Sequence, residues 1–233
     1  TGPTLFLMPE VFADTYAALG EHMESHLDLV RLDPTYRVHF HDGNSLDLTS
    51  NLNSMQTQLE KIEKGSFLAF LRFMGEGGNS YRLSLSHFVG RNFYTLFDYF
   101  SVKNLPLLFQ LKALVKHASN TARYFHDPRL QAALSFQNMY LGLSPYDAPA
   151  TYSLLQYTEL ADGVWFPRGG MYRVIESLER IARKMGVIFR YRSPVAKVDI
   201  ERDRATGVTL ENGERLTADI IIANADLPYV YEK

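Results

Sequence analysis

The chain has 233 residues, 46% of them hydrophobic, which is enough for one or two domains with a sizeable core. Its net charge of −2 gives no reason to expect a nucleic-acid partner. No cysteine is present, which excludes disulfides, thiolate metal sites and cysteine nucleophiles.

Neither a metal site nor a membrane-spanning helix is predicted. The seven histidines show no spacing typical of metal ligands, and His39 and His41, which share one strand face, fit exposed or core positions. The most apolar stretch, residues 105–115, is interrupted by Gln110 and Lys112. It falls short of the roughly 20 apolar residues that cross a bilayer.

Residues 9–163 carry mostly helical patterns with one early hairpin. Apolar residues three and four apart predict the helices, alternation predicts the strands, and glycine, proline and aspartate mark the turns. The predicted elements, in chain order, are a helix over residues 9–25, a hairpin with strands 36–40 and 46–48 around Asp42-Gly43, a helix over 52–62 closed by Gly65, a helix over 67–74 ending in the loop 75–79, a helix over 129–140 opened by Asp127-Pro128, a loop over 144–150, and a helical stretch over 151–163.

One stretch within this part suits contact with a membrane surface. Apolar residues between Leu107 and Ala118 fall on one face of a predicted helix, and Lys112, Lys116 and Arg123 fall on another. An aromatic cluster precedes the helix, consisting of Phe93, Tyr94, Phe97, Tyr99 and Phe100. The same pattern also fits a core-facing helix with a solvated basic side, so both interpretations stay open.

The most informative segment reads DGVWFPRGGMYRVIESL and covers residues 162–178. Its adjacent glycines, Gly169 and Gly170, let the backbone come close to a ligand. Unpaired N–H groups at the start of the following helix can bind a phosphate or a polar ring edge. The glycine pair is also common in ordinary turns. A helix is predicted after the glycines, because apolar residues recur at helical spacing from Met171 to Met185. Gly186 follows them and is a typical helix end.

The remaining chain alternates between strand and turn signals, which predicts an α/β segment after an α+β body. The Ile220–Ala223 run is typical of a fully buried strand, and ligands of open α/β sheets gather at the carboxyl ends of such strands. The predicted elements are a strand over residues 187–191, a strand over 195–200, a hairpin with strands 208–210 and 215–217 around Asn212-Gly213, and a buried strand over 220–223 that delivers Asn224 and Asp226.

Four segments carry a resemblance to a known family. They are GPTLFLMP at residues 2–9, LGLSPYDAPATYSLLQYTEL at 141–160, GVWFPRGG at 163–170 and ADIIIANAD at 218–226. On these segments the chain resembles the carotenoid desaturases of the phytoene desaturase type, most closely the fungal form. The resemblance covers essentially the whole chain but implies an internal fragment. The Gly-rich dinucleotide fingerprint of the family and a later cofactor-contacting segment have no counterpart here.

The resemblance implies a fold of α/β plus α+β class. It would be a partial FAD-binding, Rossmann-like domain of the flavin amine oxidase and desaturase superfamily, with an inserted, mostly helical substrate domain. Residues 1–9 and 161–233 would belong to the FAD-binding domain, and residues 10–160 to the substrate-binding domain. The isolated fragment is expected to be inactive, because the phosphate-binding loop is absent from it.

The resemblance also implies an activity and partners. The enzyme would be an FAD-dependent oxidoreductase acting on CH–CH groups. It would convert phytoene stepwise to neurosporene, lycopene or more conjugated carotenes by hydride transfer to the flavin. NAD is the lesser cofactor alternative, and quinone or oxygen would accept the electrons. A peripheral position on an intracellular membrane surface is expected. The alternatives are a flavin amine oxidase, a carotenoid isomerase or saturase, and a non-enzymatic, membrane-docking lipid-binding module.

Residue roles follow from the resemblance to different degrees. Cofactor contacts are expected at Gly2, Pro3, Arg168, Gly169, Gly170 and Val195, with Asn224 and Asp226 as further candidates. Trp165 and Phe166 would line a substrate tunnel, although buried core positions fit them equally well. Arg91, Asp98, Asp147 and Glu159 are acid or base candidates by residue type alone, and the catalytic residues stay unassigned.

Overall fold

The structure is a computed structural model that describes residues 5–99, 101–102 and 104–232. The chain forms two compact units, one ending at Leu178 and the other beginning at Glu179. The division falls within one helix, so each unit is described by itself.

The first unit is mostly helical, with two small antiparallel sheets. Its strands are β1 (Leu29–Arg31) paired with β4 (Trp165–Pro167), and β2 (Tyr36–His39) paired with β3 (Ser45–Leu48). Its helices are α1 (Pro9–Ala18), α2 (Leu52–Ile62), α3 (Ser66–His87), α4 (Leu96–Tyr99), α5 (Leu105–Gln110), α6 (His117–Thr121), α7 (Pro128–Ala133), α8 (Ser153–Tyr157) and the first half of α9 (Tyr172–Lys184). Shorter 3₁₀ helices cover Met23–Ser25, Phe136–Leu141 and Ala150–Tyr152, and a π-helical turn covers Thr158–Asp162.

The hydrophobic core of this unit forms where the β2–β3 hairpin meets α2, α3 and α7. Its large side chains are fully or almost fully removed from solvent, and such burial is the main favourable contribution to folding. The core consists of Leu46, Leu48, Met55, Leu59, Phe70, Phe73, Phe125, Leu130, Ala133, Leu134 and Leu160.

The predicted loop at residues 75–79 is wrong, because α3 continues through it to His87. Gly77 and Gly78 lie where α3 packs against α8. An added Cβ at Gly77 would lie 2.7 Å from the Ser153 carbonyl oxygen, and one at Gly78 would lie 2.7 Å from the Tyr157 ring. The glycines therefore allow two helices to approach closely, and this packing offsets their low helix propensity.

Three predicted helices are shorter than expected. The first ends at Ala18, where Gly20 with φ 75° follows. The predicted amphipathic helix over residues 107–118 is interrupted after Gln110, since Lys112 adopts φ 52°, and it splits into α5 and α6. The helix predicted over residues 129–140 splits into α7 and a 3₁₀ helix, although Asp127 caps α7 as predicted and accepts the Arg129 N–H at 2.8 Å.

The second unit contains the end of α9 and one sheet of three strands. The strands β5 (Val195–Glu201), β6 (Arg204–Leu210) and β7 (Arg215–Thr217) are antiparallel in that order, and α10 (Leu227–Glu232) follows. The hairpin around Asn212-Gly213 is confirmed. Two ion pairs lie on α9, Glu179 with Arg183 at 2.7 Å and Glu176 with Arg173 at 3.0 Å.

Two strand predictions in this unit are wrong. Residues 187–191 and 220–223 form no strand, and Ile222 is 88% exposed. An apolar run becomes a buried strand only when neighbouring strands accept its backbone hydrogen bonds. Among the described residues no strand pairs with either segment.

In the described part of the chain, no helix has the length and apolarity that a membrane span requires. The same residues contain no group of three or more His, Asp or Glu side chains placed to hold a metal ion.

Candidate functional site

The Pro-Arg-Gly-Gly segment forms a tight turn between β4 and α9. The Gly170 N–H donates to the Pro167 carbonyl oxygen at 2.9 Å, and Gly169 and Gly170 have φ of 88° and 101°. These backbone angles are accessible to glycine and strained for other residues. The sequence therefore specifies this turn through its two glycines, as predicted.

The turn leaves backbone donors and open space in front of α9. Among the described residues, no group accepts a hydrogen bond from the N–H groups of Gly169, Met171 or Tyr172. An added Cβ at Gly170 would meet no atom within 4 Å. A ligand could thus approach the backbone directly, and unpaired N–H groups at a helix start favour an anionic or polar ligand atom.

The predicted tunnel residues flank this turn on β4. The Trp165 indole N–H donates to the Asp162 carbonyl oxygen at 2.9 Å, and the Trp165 backbone N–H donates to Phe6 at 2.9 Å. Trp165 is therefore half-buried and fixed in place, whereas the Phe166 side chain is exposed. Of the two, Phe166 presents the freer apolar face.

Arg168 lies at the surface of the same turn. Its N–H donates to the Asp28 carbonyl oxygen at 2.8 Å, and its Nε lies 3.2 Å from Asp28 Oδ2. Both side chains are largely exposed, so the pair contributes little to stability. The guanidinium remains accessible for a ligand. Gly2 and Pro3, the other predicted contacts, lie outside the described residues.

The second unit contains a separate apolar groove of about 280 Å³. Val195 and Val198 of β5 line it together with Val208, and the segment from Ile221 to Ala225 closes it. The pairing of β5 with β6 shifts register between Val195 and Lys197, a β-bulge that leaves backbone groups of this edge strand free. The groove could hold a flat ring against apolar side chains and bond its edge to backbone.

The structure brings together two of the residues predicted for this region. Asn224 lines the groove with Val195. Asp226 is exposed, and its carbonyl oxygen accepts the Val230 N–H at 3.1 Å, as expected of a residue that begins α10. The groove thus contains one of the two polar residues that follow the Ile220–Ala223 run.

The four acid or base candidates do not form one cluster. Arg91 is exposed, and Asp98 accepts the Thr95 N–H at 2.9 Å in the way a helix cap does. Asp147 is exposed, 3.9 Å from Lys116 Nζ. Glu159 differs from them because it is only 1% exposed.

Glu159 lies in the π-helical turn that precedes β4. Its Oε2 accepts the Gln137 side-chain N–H at 2.9 Å. Burial raises the pKa of the Glu159 carboxyl, and the Gln137 amide with the nearby hydroxyls of Tyr140 and Tyr36 only partly opposes this effect. The Tyr140 hydroxyl donates to the Tyr36 hydroxyl at 2.5 Å. Sequence reasoning missed these neighbours, because no local pattern links residues so far apart in the chain.

A second polar cluster connects α3 to the segment that follows it. Glu76 Oε1 accepts the Asn120 side-chain N–H at 2.6 Å, and Oε2 accepts the Tyr124 hydroxyl at 2.6 Å and the Lys112 ammonium. Burial opposes ionisation of Glu76, but these bonds lower its pKa below the ordinary value. This cluster was missed as well, since Glu76 falls in the wrongly predicted loop.

The comparisons with known proteins identify the class to which this fold belongs. The profile of the family described as flavin containing amine oxidoreductase matches residues 1–231, and the chain belongs to this family. The family description makes a flavin the cofactor of this class of protein.

Individual relatives sharpen the identification. The chain is 49% identical, over 100% of its length and 45% of the relative, to a zeta-carotene-forming phytoene desaturase of Myxococcus xanthus. It is 43% identical to the phytoene desaturase of Phycomyces blakesleeanus, over 99% of the chain and 40% of the relative. The resemblance to phytoene desaturases is thereby confirmed, and the chain spans less than half the length of these two relatives.

A solved structure supports the fold alone. The Rab GDI of Plasmodium falciparum superimposes with a TM-score of 0.51 at 11% identity, over 94% of this chain and 48% of that one. At this identity the likeness concerns the arrangement of helices and strands, which is mixed in this chain as predicted.

Proposed function

We propose that the chain is a segment of an FAD-dependent phytoene desaturase. The observation that carries this proposal is the identity of 49% and 43% to phytoene desaturases of a bacterium and a fungus, spread over nearly the whole chain. The reaction would remove two hydrogens from adjacent saturated carbons, one as hydride and one as proton. Repetition would extend the conjugation towards neurosporene, lycopene or beyond.

The residues present suit a flavin dinucleotide in two places. The Gly169-Gly170 turn offers free N–H groups and a backbone without side chains, with Arg168 beside it as a cation. The groove at Val195 and Asn224 suits the flat adenine ring, whose faces pack on apolar side chains and whose edge carries polar groups. Gly2, Pro3 and Asp226 remain further candidates. When bound, the flavin supplies hydride acceptance. FAD is proposed over NAD because the family is described as flavin-containing.

The same proposal assigns parts of the chain to domains. Residues 1–9 and 161–233 would contribute to FAD binding, and residues 10–160 would form the substrate-binding domain. The helical first part supports this assignment because exposed aromatic side chains such as Tyr94, Phe97 and Phe109 offer apolar surface. A carotene has no polar handle, so its binding depends on burial at about 25 cal/mol per Å². Phe166 on β4 and Tyr172 at the start of α9 are exposed aromatic residues on the two sides of the glycine turn.

Complementation tests the reaction and the turn together. The full-length protein is produced in phytoene-accumulating bacteria beside Gly170→Val and Arg168→Ala variants, and the pigment extract and bound flavin are measured. Conjugated carotenes from the parent and at least tenfold less from Gly170→Val are expected, since valine is strained at φ 101°.

Gly20→Val serves as the matched control. Gly20 has φ 75° with no atom within 4 Å of an added Cβ, so this variant introduces similar strain away from the turn. Equal pigment loss in Gly170→Val and Gly20→Val would contradict a specific role of the Gly169-Gly170 turn in the reaction. A parent that binds flavin but leaves phytoene unchanged would contradict the desaturase proposal and favour amine oxidation; quinone or oxygen then remains to be tested as electron acceptor.

We further propose that residues 94–114 dock the protein on an intracellular membrane surface, where its hydrocarbon substrate dissolves. Support comes from large apolar side chains that face solvent in this stretch, and from an apolar groove of about 380 Å³ lined by Leu105, Phe109 and Leu114. The exposed side chains are Tyr94, Phe97, Val102, Leu105, Phe109 and Leu114. Lys112 contributes little to lipid binding, because it is bonded to Glu76 and Asn120.

Vesicle flotation tests the docking. A Phe109→Ser, Leu114→Ser double variant should lose most of its binding to phosphatidylcholine vesicles, because burial of these side chains drives the attachment. Ile188→Ser, which alters an equally exposed apolar residue in the second unit, is the control and should float like the parent. Retention of full binding by the double variant would contradict the assignment of this surface.

A further inference from the structure

Three buried side chains are joined in series by hydrogen bonds, and they are Gln156, Gln137 and Glu159. The exposed fractions of Gln137 and Gln156 are 0%, and that of Glu159 is 1%. The Gln156 side-chain N–H donates to Gln137 Oε1 at 2.9 Å, and the Gln137 side-chain N–H donates to Glu159 Oε2 at 2.9 Å. Because the Gln137 side-chain N–H donates to the Glu159 carboxylate, the Gln137 oxygen is left to accept from Gln156.

The two oxygens at the ends of this hydrogen-bonded series find no partner among the described residues. Glu159 Oε1 and Gln156 Oε1 are both fully buried and make no hydrogen bond to any of them. With an ionised Glu159 both atoms are acceptors, and leaving two acceptors unsatisfied in the interior is costly. Both side chains bond the same Gln137 amide, so both reach towards the 3₁₀ helix Phe136–Leu141. A hydrogen atom on one of these two oxygens would let it donate a hydrogen bond to the other.

We propose that Glu159 is a neutral carboxylic acid in the folded protein, and that its proton, carried on Oε1 and donated to Gln156 Oε1, closes a ring of hydrogen bonds through Gln137. The acid then supplies the missing donor and satisfies both buried oxygens. The ring joins three elements: the 3₁₀ helix Phe136–Leu141, α8 and the π-helical turn.

The surroundings of the carboxyl favour the neutral form. The titratable groups that face it are the phenols of Tyr36 on β2 and Tyr140 on the 3₁₀ helix. Among the described residues no cation forms an ion pair with Glu159. Burial raises the pKa of its carboxyl more than the nearby hydroxyl and amide groups lower it.

The ring makes the packing of these elements dependent on pH. Because the pKa of Glu159 is raised in the folded state, its contribution to stability is fully present below the ordinary carboxyl pKa. That contribution is lost as the pH rises through the raised value. Deprotonation would place a charge in the interior and leave the Gln156 oxygen without a donor, which loosens the turn that leads to Trp165 and Phe166.

Infrared spectroscopy of the full-length protein tests the proton directly. A protonated carboxylic acid band should be present at neutral pH, should disappear on alkaline titration, and should be missing from Glu159→Gln. Absence of the band from the parent would overturn the proposal, and a bridging water would then satisfy the two oxygens. The proton does not depend on flavin or substrate, so this outcome is independent of the desaturase assay.

The pH dependence of unfolding gives a second readout. As the pH rises from the ordinary carboxyl range through the raised pKa of Glu159, the parent should lose stability, whereas Glu159→Gln, whose amide can donate where the acid did, should lack this part of the slope. The exposed Glu24→Gln is the matched control and should keep the parental slope. Equal slopes for the parent and Glu159→Gln would contradict the proposal.

Discussion

The two units of the chain differ in how they treat their apolar side chains. The first buries Phe73, Leu46 and Met55 completely, whereas the second leaves Ile200, Ile220 and Ile222 mostly exposed. Both have apolar residues in strand or helix patterns. They differ because the first unit contains the partners of its own apolar faces, and the described part of the second does not. A hydrophobic pattern predicts which face of a segment can be buried. Whether that face is buried depends on the elements that pack against it.

The largest contrast is expected between Phe73→Ala and Ile222→Ala. Removing the fully buried Phe73 ring should cost about 3–5 kcal/mol, because the lost contacts and the remaining cavity both destabilise the fold. Ile222→Ala in the same chain should change the unfolding free energy by no more than about 0.5 kcal/mol. Denaturant unfolding measures both. Similar losses would show that the second unit is packed more closely than its exposed isoleucines indicate.

The glycines of α3 provide the next contrast. Gly77→Ala should destabilise the first unit by about 1–3 kcal/mol, because its Cβ would lie 2.7 Å from a backbone oxygen of α8. Gly75→Ala, two residues earlier on the same helix, meets no atom within 4 Å and should stabilise it by about 0.5–1 kcal/mol. Thermal unfolding of the two variants tests whether the first is destabilised and the second stabilised. A stable Gly77→Ala variant would mean that α3 and α8 can move apart at little cost.

The same glycines show what the sequence can and cannot predict. Local signals succeed where an element is specified by its own residues, as in the β2–β3 hairpin, the Asn212-Gly213 turn and the turn at Gly169-Gly170. They fail at α3, because residues 75–79 have the composition of a loop and become helical through contact with Ser153 and Tyr157. These contacts come from α8, far along the chain, and no sequence pattern near Gly77 predicts them.

The candidate site divides in the same way. The glycine turn forms as the sequence predicts, and Val195 lines a groove, while its contact with a cofactor stays a prediction. The partners of Glu159 could not be predicted, because Tyr36, Gln137 and Tyr140 come from separate elements that meet only in the fold. Residue type made Glu159 one of four equal candidates, and burial distinguishes it from the other three.

Tyr124 gives a prediction about pH within the well-packed unit. Burial and the Glu76 carboxylate raise the pKa of Tyr124 to about 12. Since the folded state holds the phenol neutral, the contribution of Tyr124 to stability should be lost as the pH rises from the ordinary tyrosine range through about 12. Ultraviolet titration should show one late phenolate step that Tyr124→Phe removes. Glu76→Gln should move that step to lower pH, and an unchanged step would contradict the coupling.

The smallest effect is expected at Asp147. Its carboxylate is exposed and lies 3.9 Å from the equally exposed Lys116 ammonium, so water screens the pair. Asp147→Asn should therefore change stability by less than about 0.5 kcal/mol and leave pigment formation by the full-length protein at the parental level. Asp147 and Glu159 are both carboxylic acids of the first unit, but one is solvated and the other is surrounded by protein. If Asp147→Asn nevertheless abolishes pigment while flavin binding and unfolding stay unchanged, exposure in this chain does not rule out a catalytic role. The acid or base of the reaction should then be sought on the surface around Lys116 and not beside the buried ring of Glu159.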